Sequence, residues 1–240
     1  ELQDQTVISF SDKISIPYNV LEIARAYRNR IKSAQDLLEF QVIVSNRERG
    51  ELSVRKMNIE MQKIFNGNDK PSLNRNGYEF KANDKVIAQG NSYSQHVFDD
   101  EFEYYDFLDS DNDESPRTVD IFNGTMGYVH GVSVKHKIVF IQFEGIDGVV
   151  AFHQNDLDKI DLAYAITVHK SQGSSVKHLV FALDFSSYTL LSRQLVYTAL
   201  TRCSLRGVAL VESKALHKAI ETNASSRRTF LQEIIRGEYL

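Results

Sequence analysis

Apolar residues fall into two alternating kinds of pattern along this chain. Residues 6–10, Thr-Val-Ile-Ser-Phe, are short and β-branched and predict a strand. Over residues 19–30, Val20, Leu21, Ile23, Ala24 and Tyr27 predict a helix, with Arg25, Arg28, Arg30 and Lys32 on its wet side. A solvated face accounts for those cations better than a DNA-binding one. Residues 40–44, Phe-Gln-Val-Ile-Val, predict a strand buried on both faces. Ser53 then suits the N-cap of a helix carrying Val54, Met57, Met61 and Ile64. Beyond the turn-rich stretch 66–77 the pattern becomes all-β. Short strands are expected at 85–88, 126–129, 137–143 and 149–152, parted by turns at Asn123-Gly124, Gly131 and 145–148. Near the C-terminus come an apolar strand at 179–183 and an amphipathic helix. Leu191, Leu195 and Ala199 line its apolar side, while Thr198, Thr201 and Arg202 share its polar face.

This order predicts an α/β domain with a parallel sheet, built from residues 1–79 and 161–240, and a small β-barrel inserted at 80–160. The 240 residues are 42% hydrophobic and 25% charged, ordinary for a folded domain with a core. No apolar run approaches the roughly 20 residues a membrane helix needs, and the first residues lack the pattern of a signal peptide. Cys203 is the single cysteine, which excludes an intrachain disulfide and a cysteine-based zinc site. A cytoplasmic protein that meets no membrane is the expectation.

Net charge is −4, but it is unevenly spread: +1 over residues 1–79, −9 over 80–160 and +4 over 161–240. Much of the acidity lies in residues 99–114. Asp109, Asp111 and Asp113 alternate there as in a calcium loop, without its glycine and distal glutamate. The expectation is a solvated, mobile acidic loop and no metal site. Beside DNA such a loop would repel phosphates; it suits a basic partner, or holds a strand to its proper side. Residues 97–101, Val-Phe-Asp-Asp-Glu, imitate a Walker B segment, but too few apolar residues precede the acids and no nucleotide loop lies upstream.

Candidate chemistry concentrates in residues 164–202. Thr167, His169, Lys170, Ser171 and Gln172 crowd directly before Gly173, a dense run of hydrogen-bonding groups ending where the backbone can turn freely. Together with Thr201 and Arg202 they suit phosphate groups. Asn46 and Arg47 leave the end of the 40–44 strand, where α/β proteins place ligand contacts; a plain surface turn is an equal alternative there.

Residues 169–173, His-Lys-Ser-Gln-Gly, and 197–202, Tyr-Thr-Ala-Leu-Thr-Arg, resemble motifs V and VI of superfamily 1 DNA helicases, most closely the RecD type, the α subunit of exodeoxyribonuclease V and its stand-alone relatives. Residues 41–50 with Asn58 and Gln62 resemble that family's segment between motifs IV and V. Residues 83–87, Asn-Asp-Lys-Val-Ile, and 122–127, Phe-Asn-Gly-Thr-Met-Gly, resemble the start of its accessory β-domain. The resemblance implies a second RecA-like (P-loop NTPase-type) domain with an inserted SH3-like barrel. No Walker A loop or Walker B strand is present, so ATP and Mg2+ would be bound mainly by a first RecA-like domain expected before residue 1.

By the same resemblance Arg202 would act as an arginine finger on the transferring phosphate. Gln172, Gly173 and Thr201 would approach the nucleotide. Thr167, His169, Lys170, Ser171, Asn46 and Arg47 would contact single-stranded DNA or buttress the cleft, the role of His169 staying open. Travel would be 5′→3′, and nuclease and helicase subunits of an exonuclease V-like complex are implied partners. Ser175 stands where the family commonly has glutamate, which puts nucleotide affinity or base choice in question. A non-catalytic DNA- or protein-binding module retaining a RecA-like shell is the competing reading, and an RNA-directed or relaxase-fused relative is a third.

Overall fold

The run read as a strand buried on both faces, residues 40–44, lies beside the apolar strand at 179–183 in the middle of a parallel sheet. The computed structural model describes residues 5–46, 48, 50–67, 69–109 and 116–222. In chain order come β1 (Gln5–Phe10), α1 (Ser15–Arg28), α2 (Ala34–Leu38), β2 (Phe40–Val44) and α3 (Val54–Asn66). The hairpin β3 (Ser72–Arg75) and β4 (Tyr78–Lys81) follows, then β5 (Lys85–Ala88), β6 (Ser92–Phe98) and α4 (Glu101–Asp109). Next are β7 (Arg117–Ile121), β8 (Met126–Ser133), β9 (Ile138–Phe143), β10 (Val149–His153) and β11 (Ile160–Leu162). The chain continues through β12 (Ala165–Thr167), β13 (Val176–Leu183), α5 (Arg193–Leu200), β14 (Cys203–Val211) and α6 (Ser213–Glu221).

The parallel sheet has the order β1-β14-β13-β2-β12. Strand alternation sends Phe40, Val42, Val44, Val180 and Ala182 to one face, into a core shared with α1 and α3. Ile43, Leu179, Phe181 and Leu183 point the other way, toward Leu191, Leu195, Ala199 and Ala215 of the α5–α6 layer. Two covered faces explain why residues 40–44 and 179–183 are apolar throughout apart from Gln41. Each buried valine, leucine, isoleucine or phenylalanine there contributes about 1.5–3 kcal/mol by leaving water.

The second sheet is antiparallel, in the order β11-β5-β8-β9-β10-β6-β7, with β11 and β7 as its edge strands. Across residues 66–160 four expectations are not met; the first is the turn read at Gly131, which lies inside β8. Residues 66–77 hold more than turns: β3 and β4 pair there around Asn76 and Gly77, both at positive φ. The β6–β7 pair was not foreseen. The acidic stretch is no loop through residue 109, because Tyr104 of α4 packs its ring against Phe98 and Phe140 in edge-to-face contacts. Covering Phe98 and Phe140 with the Tyr104 ring outweighs the cost of crowding the helix's carboxylates in solvent. Residues 110–115, with Asp111 and Asp113, lie outside the described residues.

Where the chain leaves one sheet for the other, a buried polar knot forms. Asp84 accepts from Gln62 Nε2 (2.6 Å), Asn66 Nδ2 (2.7 Å), the Lys81 amide (2.7 Å) and Tyr164 Oη (2.9 Å). Burial nonetheless holds its carboxyl above the usual range, outweighing those donors. Lys85 is fully buried beside it. Its Nζ donates to the carbonyls of Leu37 (3.4 Å), Leu38 (3.3 Å) and Phe40 (2.8 Å) and to Gln41 Oε1 (2.9 Å), so it also caps the C-terminus of α2.

Burial lowers the Lys85 ammonium from 10.5 to about 7, with Glu144 pulling the other way. Between pH 7 and 9 the unfolded chain therefore binds more protons than the folded one, and stability rises with pH. Urea unfolding should show the wild type gaining about 2 kcal/mol relative to Lys85→Met across that interval. A gap that does not move with pH would mean that the four oxygens keep the ammonium charged throughout.

Candidate functional site

The polar run 167–173 begins where β12 ends, at the C-terminal edge of the parallel sheet. Thr167 is level with Val44, and Val44 with Ala182 of β13. The next strand starts at Val176, paired with Cys203 at the opposite edge. Residues 168–175 therefore carry the chain back along about 20 Å of sheet, six strand residues at roughly 3.3 Å each. One segment visits both ends of the sheet.

Its local bonds make it a run of tight turns. Thr167 Oγ1 accepts from the Lys170 amide at 3.3 Å, and Thr167 O accepts from the Ser171 amide at 3.2 Å. Ser171 is buried, and its Oγ donates to Val168 O at 2.8 Å, which makes it a brace of the turn and not an exposed contact. Val168 points into the α5–α6 core and anchors the segment there. His169, Gln172 and Gly173 are exposed, Thr167 and Lys170 half-buried. Gly173 sits at φ +86, where a side chain would be strained although nothing crowds the position.

At the C-terminal edge Asn46 joins Thr167. Its Oδ1 accepts from the Glu48 amide (3.2 Å) and its carbonyl from the Val54 amide (2.9 Å), so it shapes the loop into α3, whose cap is Ser53 as expected. Arg47 lies outside the described residues. From the insert, Asn123 reaches the same place: its Oδ1 accepts from Lys170 Nζ.

Arg202 stands at the other edge. The α5 helix starts on its Ser192 cap, buries Leu195 and Ala199, and leaves Arg202 directly before β14. The half-buried guanidinium donates through Nε to Thr198 O (3.1 Å), through Nη1 to Ser174 O (3.0 Å) and through Nη2 to Thr201 Oγ1 (3.1 Å). The Arg202 carbonyl accepts from the Val176 amide at 2.9 Å. All three guanidinium partners are neutral oxygens. An anionic oxygen would form stronger, charge-assisted bonds with the same donors.

The expected residues thus divide. Thr167, Lys170 and Asn46 belong to the C-terminal edge, Thr201 and Arg202 to the N-terminal edge, and the exposed His169, Gln172 and Gly173 lie along the crossover between. They fall at two stations joined by one short segment. Sequence reasoning missed the Ser174 carbonyl, which carries no side-chain signal, and took Asn123 only for a turn residue. Among the described residues no group of three His, Cys, Asp or Glu is placed to hold a metal ion, and no helix is long and apolar enough to cross a membrane.

Residues 162–208 match the family of UvrD-like helicase C-terminal domains, a span that includes the whole crossover and Arg202. The chain is 28% identical over 195 residues to the ATP-dependent RecD2 DNA helicase of Deinococcus radiodurans, covering 81% of this chain and 23% of that protein. It is 30% identical over 112 residues to the RecBCD enzyme subunit RecD of Mycobacterium tuberculosis, covering 47% of this chain and 19% of that one. The crystal structure of Bacteroides Pif1 bound to ssDNA aligns with a TM-score of 0.45 and 13% identity, over 92% of this chain and 54% of that one. The chain spans about a fifth of the length of the curated relatives it matches. The resemblance to the C-terminal part of RecD-type helicases is borne out.

Because Gly173 meets no neighbour, Gly173→Ala should cost about 1–2 kcal/mol in urea unfolding, through backbone strain alone. Gly173→Asn should cost less, since asparagine tolerates that conformation. An alanine variant as stable as wild type would show that the turn relaxes to negative φ.

Proposed function

We propose that this chain is the C-terminal motor portion of an ATP-dependent DNA helicase of the RecD type, acting in repair or recombination. In this reading residues 1–79 and 161–240 form the second RecA-like domain, and residues 80–160 an SH3-like accessory domain. The antiparallel meander in which β11 returns beside β5 supports the latter. ATP, the substrate, sits with Mg2+ mainly on a first RecA-like domain, which supplies the magnesium ligands. Single-stranded DNA passes the C-terminal edge of the sheet, and travel is 5′→3′. Other subunits of an exonuclease V-like nuclease are candidate partners.

The observation that carries this reading is the Arg202 guanidinium resting on the Ser174 carbonyl, one residue beyond Gly173. The segment that follows motif V therefore meets the motif VI arginine at the N-terminal edge. The guanidinium exchanges a neutral carbonyl for the charge developing on the γ-phosphate, a finger's role, and its planar fork suits two oxygens. Moving Arg202 off Ser174 O pulls on the crossover, whose other end holds Thr167 and Lys170. That gives a short mechanical route from nucleotide to strand as the domains close and reopen. Lys170, with Thr167, His169 and Asn46, suits backbone phosphates, so binding would weaken with salt and show little sequence preference.

The competing reading is a binding module without catalysis, and turnover separates the two. In the longer protein Arg202→Ala should cut ATP hydrolysis about 10³-fold while single-strand binding stays near wild type. Undiminished turnover in that variant sinks the finger. This chain by itself should hydrolyse no ATP, and robust turnover from it would overturn the domain assignment.

A further inference from the structure

Two aromatic side chains stand in solvent where the insert meets the polar turn after β12. Tyr93 is 60% exposed and Phe122 is 56% exposed. They flank the paired ends of β6 and β7, where Ser92 lies opposite Ile121. Asparagines link them. Asn91 Nδ2 donates to Tyr93 Oη at 2.9 Å, and Asn91 Oδ1 accepts from the Asn123 amide at 2.9 Å. Asn123 in turn accepts from Lys170 Nζ, which brings the pair to the motif V turn.

Folding does not call for an aromatic at 122. Ile121 takes the buried position and is 1% exposed, and alternation along the strand turns the next residue outward. The turn that follows is nevertheless firmly held: the Gly124 amide donates to Ala88 O and the Thr125 amide to Phe122 O, both at 3.0 Å. Phe122 is thus presented by a rigid turn. Exposed rings beside a cation and amide groups match the two parts of an unpaired strand, whose bases offer flat π-faces and whose backbone offers phosphates.

We propose that Tyr93 and Phe122 form a stacking platform for unpaired nucleobases, with Lys170 beside it taking a backbone phosphate. This rests on the single-strand reading above, and it makes the insert a contributor of base contacts as well as a guide. The platform takes any base, because stacking reads the face of the ring and not its edge.

The test compares two fluorescent oligonucleotides of equal length, oligo-dT and its abasic counterpart, by anisotropy at low salt with the 240-residue chain. Wild type should prefer oligo-dT. Phe122→Ala should lose about tenfold in affinity for oligo-dT and little for the abasic strand, and Tyr93→Ala should act the same way. Lys170→Ala should weaken both strands alike. Both aromatic positions are exposed, and circular dichroism checks that the variants fold. Variants that keep the wild-type preference would overturn the platform and leave single-strand binding standing. If wild type binds neither strand, the single-strand reading itself fails.

Discussion

A buried asparagine decides where β12 lies. Asn58 of α3 has no exposed surface, and its side chain meets Ala165 as a neighbouring strand would: Oδ1 accepts from the Ala165 amide at 2.7 Å, and Nδ2 donates to the Ala165 carbonyl at 3.0 Å. β12 is the edge of the parallel sheet, and β2 satisfies only one of its sides. Unpaired, the outward amide and carbonyl of Ala165 would be stranded in the core, at about 1–3 kcal/mol each. Asn58 also takes Leu162 O at 2.9 Å, so it fixes the chain on both sides of the step from one sheet to the other. Thr167, two residues on, inherits its position from this contact.

The Asp84–Lys85 pair completes that joint on the outgoing side. Asp84 ties the insert to α3 and Tyr164, and Lys85 ties it to α2 and the start of β2. Gln41 joins the two, since its Oε1 accepts from Lys85 while its Nε2 donates to the carbonyls of Ala163 and Tyr164. A hinge built this way resists rotation, because any swing of the insert would expose buried polar groups to an apolar interior. The proposed motor needs that stiffness: Asn123 can bear on Lys170 only if the insert stays in register with the sheet.

What could be read from residues alone follows from which interactions are local. Strand β2, helix α3 with its Ser53 cap, and the Leu195–Ala199 face of α5 were visible because their periodicity reports burial directly, whereas Leu191, read as part of that face, is buried just before the Ser192 cap. The β3–β4 and β6–β7 pairs were not, since their few buried residues, such as Leu73, Phe80, Val97 and Ile121, stand among polar ones and their partners are set by tertiary packing. Helix α4 hid behind its charges: Glu101-Phe-Glu-Tyr-Tyr-Asp looks solvated until Phe98 and Phe140 are known to lie beneath Tyr104. Asn58 and Gln62 stood out by resemblance, but their acceptors lie 104 and 17 residues away, beyond any spacing argument. The separation of Arg202 from Thr167 was illegible for the same reason. Adjacency in sequence cannot show that a short crossover spans the length of a sheet.

The acidity of the insert seemed to argue against nucleic acid, and its placement narrows the conflict without removing it. The acids of α4 follow Phe98, the far end of β6, whereas Asn91 precedes its near end at Ser92. Seven strand residues separate the two by about 20 Å. The helix then runs back along β6, because Phe107 meets the His96 ring and, with Leu108, lines a cleft with Ser94 and Gln95. Asp120 is nearer still to the rings, its Oδ1 accepting from the Ser94 amide at 2.9 Å. At physiological salt the screening length is about 8 Å, so Glu101 and Glu103 at the start of α4 bear weakly on the Lys170–Asn123 seam, while Asp120 does bear on it. In the proposed reading a strand is drawn to Lys170 and the aromatic rings and held off the β7 side by Asp120, so the acidity of the insert acts there as a boundary to the seam.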